Sequence, residues 1–455
     1  MMRDFLKSNF AGDELNKAFY LETFGCQMNV VDSEQIAALL TEIGYTQVDA
    51  ADQADLVLLN TCSVRDKAER KVYGHLGRFK PIKDRRPELI IGVGGCVAQQ
   101  EGEKMLEKVS YLDLVFGTHN IHRLPELVQQ VEQNRQRGCV TDFQDRETRL
   151  NLFPERTSQE VVTRFVTVMQ GCDNFCSYCI VPHVRGREIS RPSHEIIAEV
   201  KGLVAQGVRE VTLLGQNVNS YNIKDAEDIS FAQLLQQVNA IGGLQRLRFA
   251  TSHPKDLTAE LMDCFGSLDK LCKHIHLPFQ SGSDRILKLM NRGYTRGEYL
   301  RKVEELKKVC PEIRLTTDVI VGFPGETEED FQATLDLVKQ VGYADAFTFL
   351  YSPRVETAAA KMVNDQSAVQ KQQRFDRLLE LQQQTSAAIW QTDAGQELSV
   401  LVEGESRQGD GQLFGRSTWN RIVNFNGSKE LIGQIVTIRI SKVFRNSHLG
   451  ELVES

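Results

Sequence analysis

A chain of 455 residues, 41% hydrophobic and 25% charged, is longer than one ordinary core accommodates, so two or three globular domains are expected. No stretch nears the twenty apolar residues of a membrane-spanning helix, and the opening MMRDFLKSNFAGDEL lacks the apolar run of a signal peptide. Both facts argue against a membrane protein and point to the cytoplasm. The formal net charge of −7 excludes a chain-wide basic footprint, so any nucleic-acid contact must be local.

The first segment, residues 1–150 with a core at about 17–134, alternates strand-like and helix-like patterns. AFYLETFGC precedes an amphipathic DSEQIAALLTEIGY; DLVLLNTC, the charged helix VRDKAERKVYGHLGRF and the apolar ELIIGVGGC follow. That order predicts a mostly parallel α/β sheet with helices on its faces. Three of the chain's ten cysteines, Cys26, Cys62 and Cys96, close these strands at separations of 36 and 34 residues. The separations are too long for a local finger. Parallel strands joined by helical crossovers nevertheless bring their carboxyl ends to one edge, where three thiolates can share a metal. The alternative is three buried structural cysteines. QNRQRGCVTDFQDRETRLNLFPERTS then reads as a polar connector.

The second segment, 158–388, repeats the alternation. RFVTVMQ, EVTLLGQ, RLRFATS, HIHLPFQ, RLTTDVIVGFP and DAFTFLYSP are the strand candidates, with HEIIAEVKGLVAQ, FAQLLQQVN and EEDFQATLDLVKQ among the intervening helices. Six βα units predict a partial parallel (β/α)6 barrel with its chemistry at the carboxyl ends of the strands. Directly after the first strand comes GCDNFCSYC, a C-x3-C-x2-C loop of Cys172, Cys176 and Cys179. His183 would complete a zinc site, but a barrel mouth and the aromatic Tyr178 before the last cysteine suit that reading poorly.

A Gln-rich helix, QKQQRFDRLLELQQQTSAAIWQ, leads to the third segment, 391–455. There ELSVLVEGES, GQLFGRSTWNRIVNF and GQIVTIRISKV read as short strands with Gly-marked turns, the pattern of a small all-β barrel. Cys139, Cys264, Cys272 and Cys310 lack placement at strand ends and read as structural.

The loop GCDNFCSYC resembles that of the radical S-adenosylmethionine (SAM) superfamily. The resemblance implies a 4Fe–4S cluster on Cys172, Cys176 and Cys179 whose fourth iron is chelated by SAM, the source of a 5′-deoxyadenosyl radical. LLGQNVNSY, HLPFQSGSDRILKLMNRGYT and TTDVIVGFPGET resemble further blocks of that superfamily, which makes Tyr178, Gln216, Asn217, Ser281 and Asp318 the expected SAM-binding residues. Beyond the cluster ligands no catalytic residue is singled out.

TFGCQMNVVDSE, NTCSVRDKAERKVYGHLGR and GVGGCVAQ, with the central block and a C-terminal barrel similar to the RNA-binding TRAM domain, resemble the methylthiotransferases over nearly the whole chain. That family carries an auxiliary 4Fe–4S cluster on a triplet placed as Cys26, Cys62 and Cys96 are. Within it the first two motifs resemble most the branch that methylthiolates C2 of N6-isopentenyladenosine at position 37 of tRNA. The other branches act on N6-threonylcarbamoyladenosine in tRNA or on an aspartate of a ribosomal protein; a reading from another class is a non-catalytic Fe–S or RNA-binding scaffold. The expected partners are tRNA, an electron donor such as flavodoxin or ferredoxin and an Fe–S or sulfur donor protein, acting on a monomer.

Local basic character falls in two places. Residues 64–88 hold nine Lys or Arg against four Asp or Glu. PHVRGREISRP adds Arg185, Arg187 and Arg191 just past the cysteine loop, where they are expected to position phosphates. In the C-terminal barrel Arg416 and the rings of Phe414 and Trp419 are candidates for RNA contact; the alternative for the rings is a place in the barrel core.

Overall fold

Six parallel strands make the N-terminal sheet: β1 (Lys17–Thr23), β2 (Tyr45–Gln47), β3 (Leu56–Thr61), β4 (Ile90–Gly95), β5 (Leu114–Phe116) and β6 (Gly138–Val140). A computed structural model describes residues 17–63, 66–144, 161–223, 228–407, 409 and 411–453. Within it the chain divides into two compact units. The first takes the described residues up to 144 with Gln170–Asp173 and Cys179–Ile189; the second takes 161–169, Asn174–Tyr178 and the described residues from Ser190 on.

In the first unit the strand order is β2-β1-β3-β4-β5-β6, every pair parallel. Strand β3 is buried along its whole length. Its alternate residues feed two apolar layers: Val57 and Leu59 pack with Val72, Leu76 and Phe79, while Leu56 and Leu58 pack with Ile36, Leu40 and Val128. Period-2 alternation with apolar residues at both phases is what a sheet covered on both faces requires. The order reverses at β1 and β3: one crossover from β1 runs to β2, and the later ones run the other way. In a doubly wound sheet such a reversal opens a crevice at the carboxyl ends of the two strands.

The helix expected over DSEQIAALLTEIGY starts five residues earlier, spanning Gln27–Glu42 with Cys26 as its N-cap. The charged helix spans Asp66–Arg85; its expected first residues, Val64 and Arg65, lie outside the described residues. Much of the polar connector, from 145 on, lies outside them too.

The second unit holds the six expected βα strands in chain order. Thr163–Thr167, Glu210–Leu214 and Arg246–Ala250 form one parallel sheet, and His274–His276, Arg314–Val321 and Asp345–Leu350 another. A parallel bridge, Leu247 to Leu271, continues the first sheet toward the second. Helices Ser193–Ala205, Phe231–Asn239, Ala259–Ser267, Arg296–Val309 and Glu328–Val341 cover it. Three of these begin with a hydroxyl side chain accepting from the N3 backbone and an N3 side chain answering it: Ser230 with Gln233, Thr295 with Glu298 and Thr327 with Asp330. Cys264 and Cys310 lie in the apolar core, and burial pushes the Cys264 thiol up to about 11.

After the helix Ala368–Gln391, five strands close into a barrel: Glu397–Glu405, Gln412–Ser417, Ile422–Asn426, Ile435–Val443 and Ser447–Leu452. The α/β class with a small all-β C-terminal barrel agrees with the sequence; the last strand is one that turn signals did not mark. No helix among the described residues is long and apolar enough to cross a membrane.

Candidate metal centre and its surroundings

Cys26, Cys62 and Cys96 follow β1, β3 and β4, three adjacent strands of one sheet, so they share its carboxyl edge. Glycines make the close approach possible. A Cβ on Gly25, whose φ is +114°, would stand 2.1 Å from the Cys62 Cβ. A Cβ on Gly95, at φ +90°, would stand 2.4 Å from the Thr61 carbonyl oxygen. Both glycines adopt left-handed backbone against the chain that carries Cys62, and no side chain fits there.

A polar lattice holds this edge. Asn60 Nδ2 donates to the Asn29 carbonyl and to Ser33 Oγ, both at 2.9 Å, and Asn29 Nδ2 donates to the Thr61 carbonyl at 2.8 Å. Cys26 stands at the N-cap position of its helix and is exposed; Cys62 and Cys96 are buried. A hydrogen bond with the Cys62 thiol is the main cause holding the Cys26 thiol down at about 6. Burial opposes that shift, while the Arg185 charge and the Asn29 backbone N–H assist it. Burial raises the Cys96 thiol, and Arg185, which also hydrogen-bonds its sulfur, opposes the rise.

Arg185 thus stands among the cysteines. It is 3% exposed, and its guanidinium is held by Asp32. Its helix, Val181–Arg185, packs on the short helix that begins at Cys96, with Ile180 and Val184 against that cysteine. The expectation that Arg185 binds RNA phosphate is therefore corrected: a buried, paired guanidinium cannot reach a polynucleotide. Arg191 is likewise buried, against Glu199 at 2.7 Å. Arg187 differs, with a 71% exposed side chain over Asp173 at 2.6 Å.

No three His, Cys, Asp or Glu side chains among the described residues stand together as ligands of a single ion. A zinc ion draws its ligands to about 2.0–2.3 Å of one point, whereas a 4Fe–4S cluster offers each thiolate its own iron. Three thiols spread along one edge, a buried cation beside them and a buried Ser63 hydroxyl next to Cys62, without a hydrogen-bond partner among the described residues, fit the larger group.

The C-x3-C-x2-C loop follows the first barrel strand. Gly171, at φ +80°, meets the Arg187 carbonyl oxygen so closely that an added Cβ would lie at 2.1 Å. Phe175 also takes positive φ, +46°. Cys172 and Cys176 are buried and Cys179 is partly so. In the second unit Cys176 accepts a hydrogen bond at 3.4 Å from Arg292, which also donates to the Tyr178 hydroxyl at 3.3 Å.

Of the expected SAM residues, Gln216, Asn217 and Ser281 follow the carboxyl ends of barrel strands, Asp318 lies within the strand Arg314–Val321, and Tyr178 lies in the cysteine loop. Asn217 is buried and donates to Asp256 at 2.7 Å, leaving its Oδ1 without a partner among the described residues. Ser281 is buried and its Oγ accepts from the Ser283 backbone at 3.3 Å; Asp318 faces His276 at 3.5 Å; Gln216 is half-buried. Among the described residues, two further buried polar atoms that follow successive strands lack partners, His253 Nε2 and Gln280 Oε1. His253 is neutral, because burial drives its pKa down to about 2, so its Nδ1, which accepts from Lys255, leaves Nε2 as a buried donor. Unanswered donors and acceptors at the strand ends suit a polar cofactor.

Trp419 is not free to receive a base as expected. Its indole lies on the Arg314 guanidinium at 3.8 Å and donates to the Glu312 carbonyl, fixing the small barrel to the (β/α) strands. Arg246 and Arg248 make the same junction through the carbonyls of Ser399, Arg416, Ser417 and Thr418. Arg416 itself pairs with Glu403 at 2.6 Å. In the charged helix and just past it, Arg78, Lys80, Lys83 and Arg86 are each tied to a carboxylate, of Glu22, Asp84, Asp113 and Asp55.

Comparison with known proteins agrees in each segment. Residues 18–117 match the family described as Uncharacterized protein family UPF0004, 166–338 the Radical SAM superfamily and 391–453 the TRAM domain. The chain is 62% identical to the tRNA-2-methylthio-N(6)-dimethylallyladenosine synthase of Syntrophotalea carbinolica, over 96% of this chain and 100% of that one. It is 60% identical to the enzyme of the same name from Geobacter sulfurreducens, over 96% and 98%. Among solved structures, the radical S-adenosylmethionine methyltransferase TsrM of Kitasatospora setae shares the fold, with a TM-score of 0.56 at 15% identity over 88% of this chain and 81% of that one.

Proposed function

The chain belongs to the tRNA-2-methylthio-N6-dimethylallyladenosine synthases, radical SAM methylthiotransferases that modify tRNA, and on that premise we propose how its residues divide the work. Cys172, Cys176 and Cys179 hold the cluster that SAM chelates, and Cys26, Cys62 and Cys96 hold the auxiliary cluster. When bound, these groups and SAM supply the radical, the sulfur and the methyl group for C2 of N6-isopentenyladenosine at position 37.

The chain's own part is placement and charge. Gly25 and Gly95 let three sequence-distant thiols share one sheet edge, and Arg185 offsets their negative charge inside the protein. Asn217, Ser281 and Asp318, with Gln216 and Tyr178, orient SAM at the strand ends. Arg187, whose exposed pairing with Asp173 costs little to exchange, meets tRNA phosphate. Residues 1–150, 158–388 and 391–455 serve as the sulfur-cluster, radical and RNA-binding domains. The protein works as a cytoplasmic monomer, reduced by a flavodoxin or ferredoxin and resupplied by an Fe–S or sulfur donor.

The observation that carries this division is the convergence of Cys26, Cys62 and Cys96 at the crevice of a doubly wound sheet with a buried arginine among them. Its test separates the triplets. Anaerobically reconstituted Cys62→Ala should still cleave SAM to 5′-deoxyadenosine but form no methylthio product; Cys176→Ala should do neither. Nucleoside mass spectrometry and deoxyadenosine assay read the two outcomes, and a Cys62→Ala enzyme with normal product would reduce the N-terminal triplet to a structural one.

A further inference from the structure

Arg292 is 4% exposed, and among the described residues its hydrogen bonds reach no carboxylate. Its Nε donates to the Tyr294 hydroxyl at 3.1 Å, Nη2 to the Pro278 carbonyl at 2.6 Å, and Nη1 to the Tyr178 hydroxyl at 3.3 Å and to Cys176 Sγ at 3.4 Å. The Tyr294 ring lies 5.3 Å from the guanidinium carbon. Arg185, buried beside the other triplet, has Asp32 to balance it; Arg292 has carbonyl and phenol oxygens and one sulfur.

Burying a guanidinium costs several kcal/mol unless an anion answers it. Phenol and amide oxygens satisfy its N–H groups but not its charge. The contact that answers it is the Cys176 sulfur, which is a thiolate whenever it ligates iron. The arrangement therefore holds a fixed cation against one ligand of a negatively charged group.

We infer that Arg292 is a positioning residue for the SAM-binding cluster: its charge-assisted N–H···S bond fixes the Cys176 thiolate and raises the cluster's reduction potential. This rests on the assignment of Cys176 as a cluster ligand. Donors to cluster sulfurs raise potentials because they stabilise the more negative, reduced form. Tyr178, the aromatic before Cys179, shares the same Nη1, which ties the loop's aromatic residue to the contact.

A merely structural arginine, pinning the Pro278 carbonyl, would affect stability without moving a potential. The test is therefore an EPR-monitored reductive titration of the holoenzyme, with the cluster identified by the change SAM makes in its signal. Arg292→Met should shift that midpoint to more negative values and leave the auxiliary cluster's midpoint unmoved. Arg292→Lys, which keeps the charge but not the planar fork, should shift it less and decides the matter if the Met variant does not hold iron. An unshifted SAM-responsive midpoint in either variant at wild-type iron content overturns the inference. A Cys176→Ala protein that keeps its SAM-responsive signal would instead sink the ligand assignment beneath it.

Discussion

Arg185 grips both carboxylate oxygens of Asp32, Nη1 to Oδ1 at 3.3 Å and Nη2 to Oδ2 at 2.5 Å, with 153 positions between them in the chain. Both side chains are under 5% exposed, so neither charge has water to fall back on. Breaking such a pair from one side leaves an unanswered buried charge, typically about 3–5 kcal/mol. Asp32→Ala should therefore lower the stability of the reconstituted protein by about that much in urea unfolding, with loss of auxiliary-cluster iron. Asp32→Leu combined with Arg185→Met should recover stability but not iron, since the packing returns and the charge does not.

The Gly25 position gives a sharper test of the sheet edge. A methyl group there would lie 2.8 Å from Cys62 Sγ and nearer still to its Cβ, at a φ of +114°. Gly25→Ala should leave the SAM-binding cluster intact and displace Cys26 from Cys62. Iron analysis should fall from about eight per chain to about four if each site holds a four-iron cluster. Full iron content in that variant would mean that the loop has room the structure denies.

Asp330 links acid stability to the SAM loop. Burial alone would raise its carboxyl, but hydrogen bonds from Arg285, Ser283 and Thr327 win and hold it at about 2. Its folded pKa lies below the unfolded value near 3.8, so this stabilisation is complete above that value and disappears as pH falls toward 2. Asp330 is buried, 7% exposed, and a depression of that size is worth about 2 kcal/mol at neutral pH. Asp330→Asn should cost that much at pH 7, and the deficit should shrink on titration from pH 4 down to 2. Because Ser283 Oγ donates to Asp330 at 2.5 Å and the Ser283 N–H reaches Ser281, the variant should also bind SAM more weakly.

The C-terminal barrel is not a detachable module by these contacts. Ending the chain at Thr392 removes Asp393 from Arg314 and the carbonyl acceptors from Arg246 and Arg248. The truncated chain should unfold at lower temperature than the full chain, by several degrees for a loss of a few kcal/mol. Trp419→Ala, which deletes a cation–π contact with Arg314 and the hydrogen bond to the Glu312 carbonyl, should cost about 2–3 kcal/mol. Equal melting of truncated and full-length protein would contradict this.

What sequence made legible was the periodic part. Strands β1, β3 and β4, the six barrel strands and the strand-end cysteines all stood in patterns of several residues. Strands β2, β5 and β6 have three residues each and went unmarked, whereas the equally short His274–His276 opened the longer alternating stretch HIHLPFQ. The arginines were the harder case. Whether Arg185, Arg292 or Arg187 faces water depends on partners such as Asp32 and Cys176 that only the fold brings near. A basic run after a cysteine loop reads as RNA-binding for all of its members, yet burial divides them. Trp419 misled in the same way, because an aromatic on a small barrel looks identical in sequence whether it meets a base or an arginine from the neighbouring strands.

The neighbourly placement of Cys26 and Cys62 also sets how the protein meets air. Cys26 is the accessible member of its triplet and Cys62 shares a hydrogen bond with it behind the surface. Peroxide reaching iron-free protein would oxidise Cys26 first, to a sulfenic acid. Attack by the Cys62 sulfur would then release water and leave a disulfide across two of the three ligands. That bond would bridge the carboxyl ends of β1 and β3. Iron and sulfide added to such a sample would find one thiol, and a thiol reductant is what it would need first.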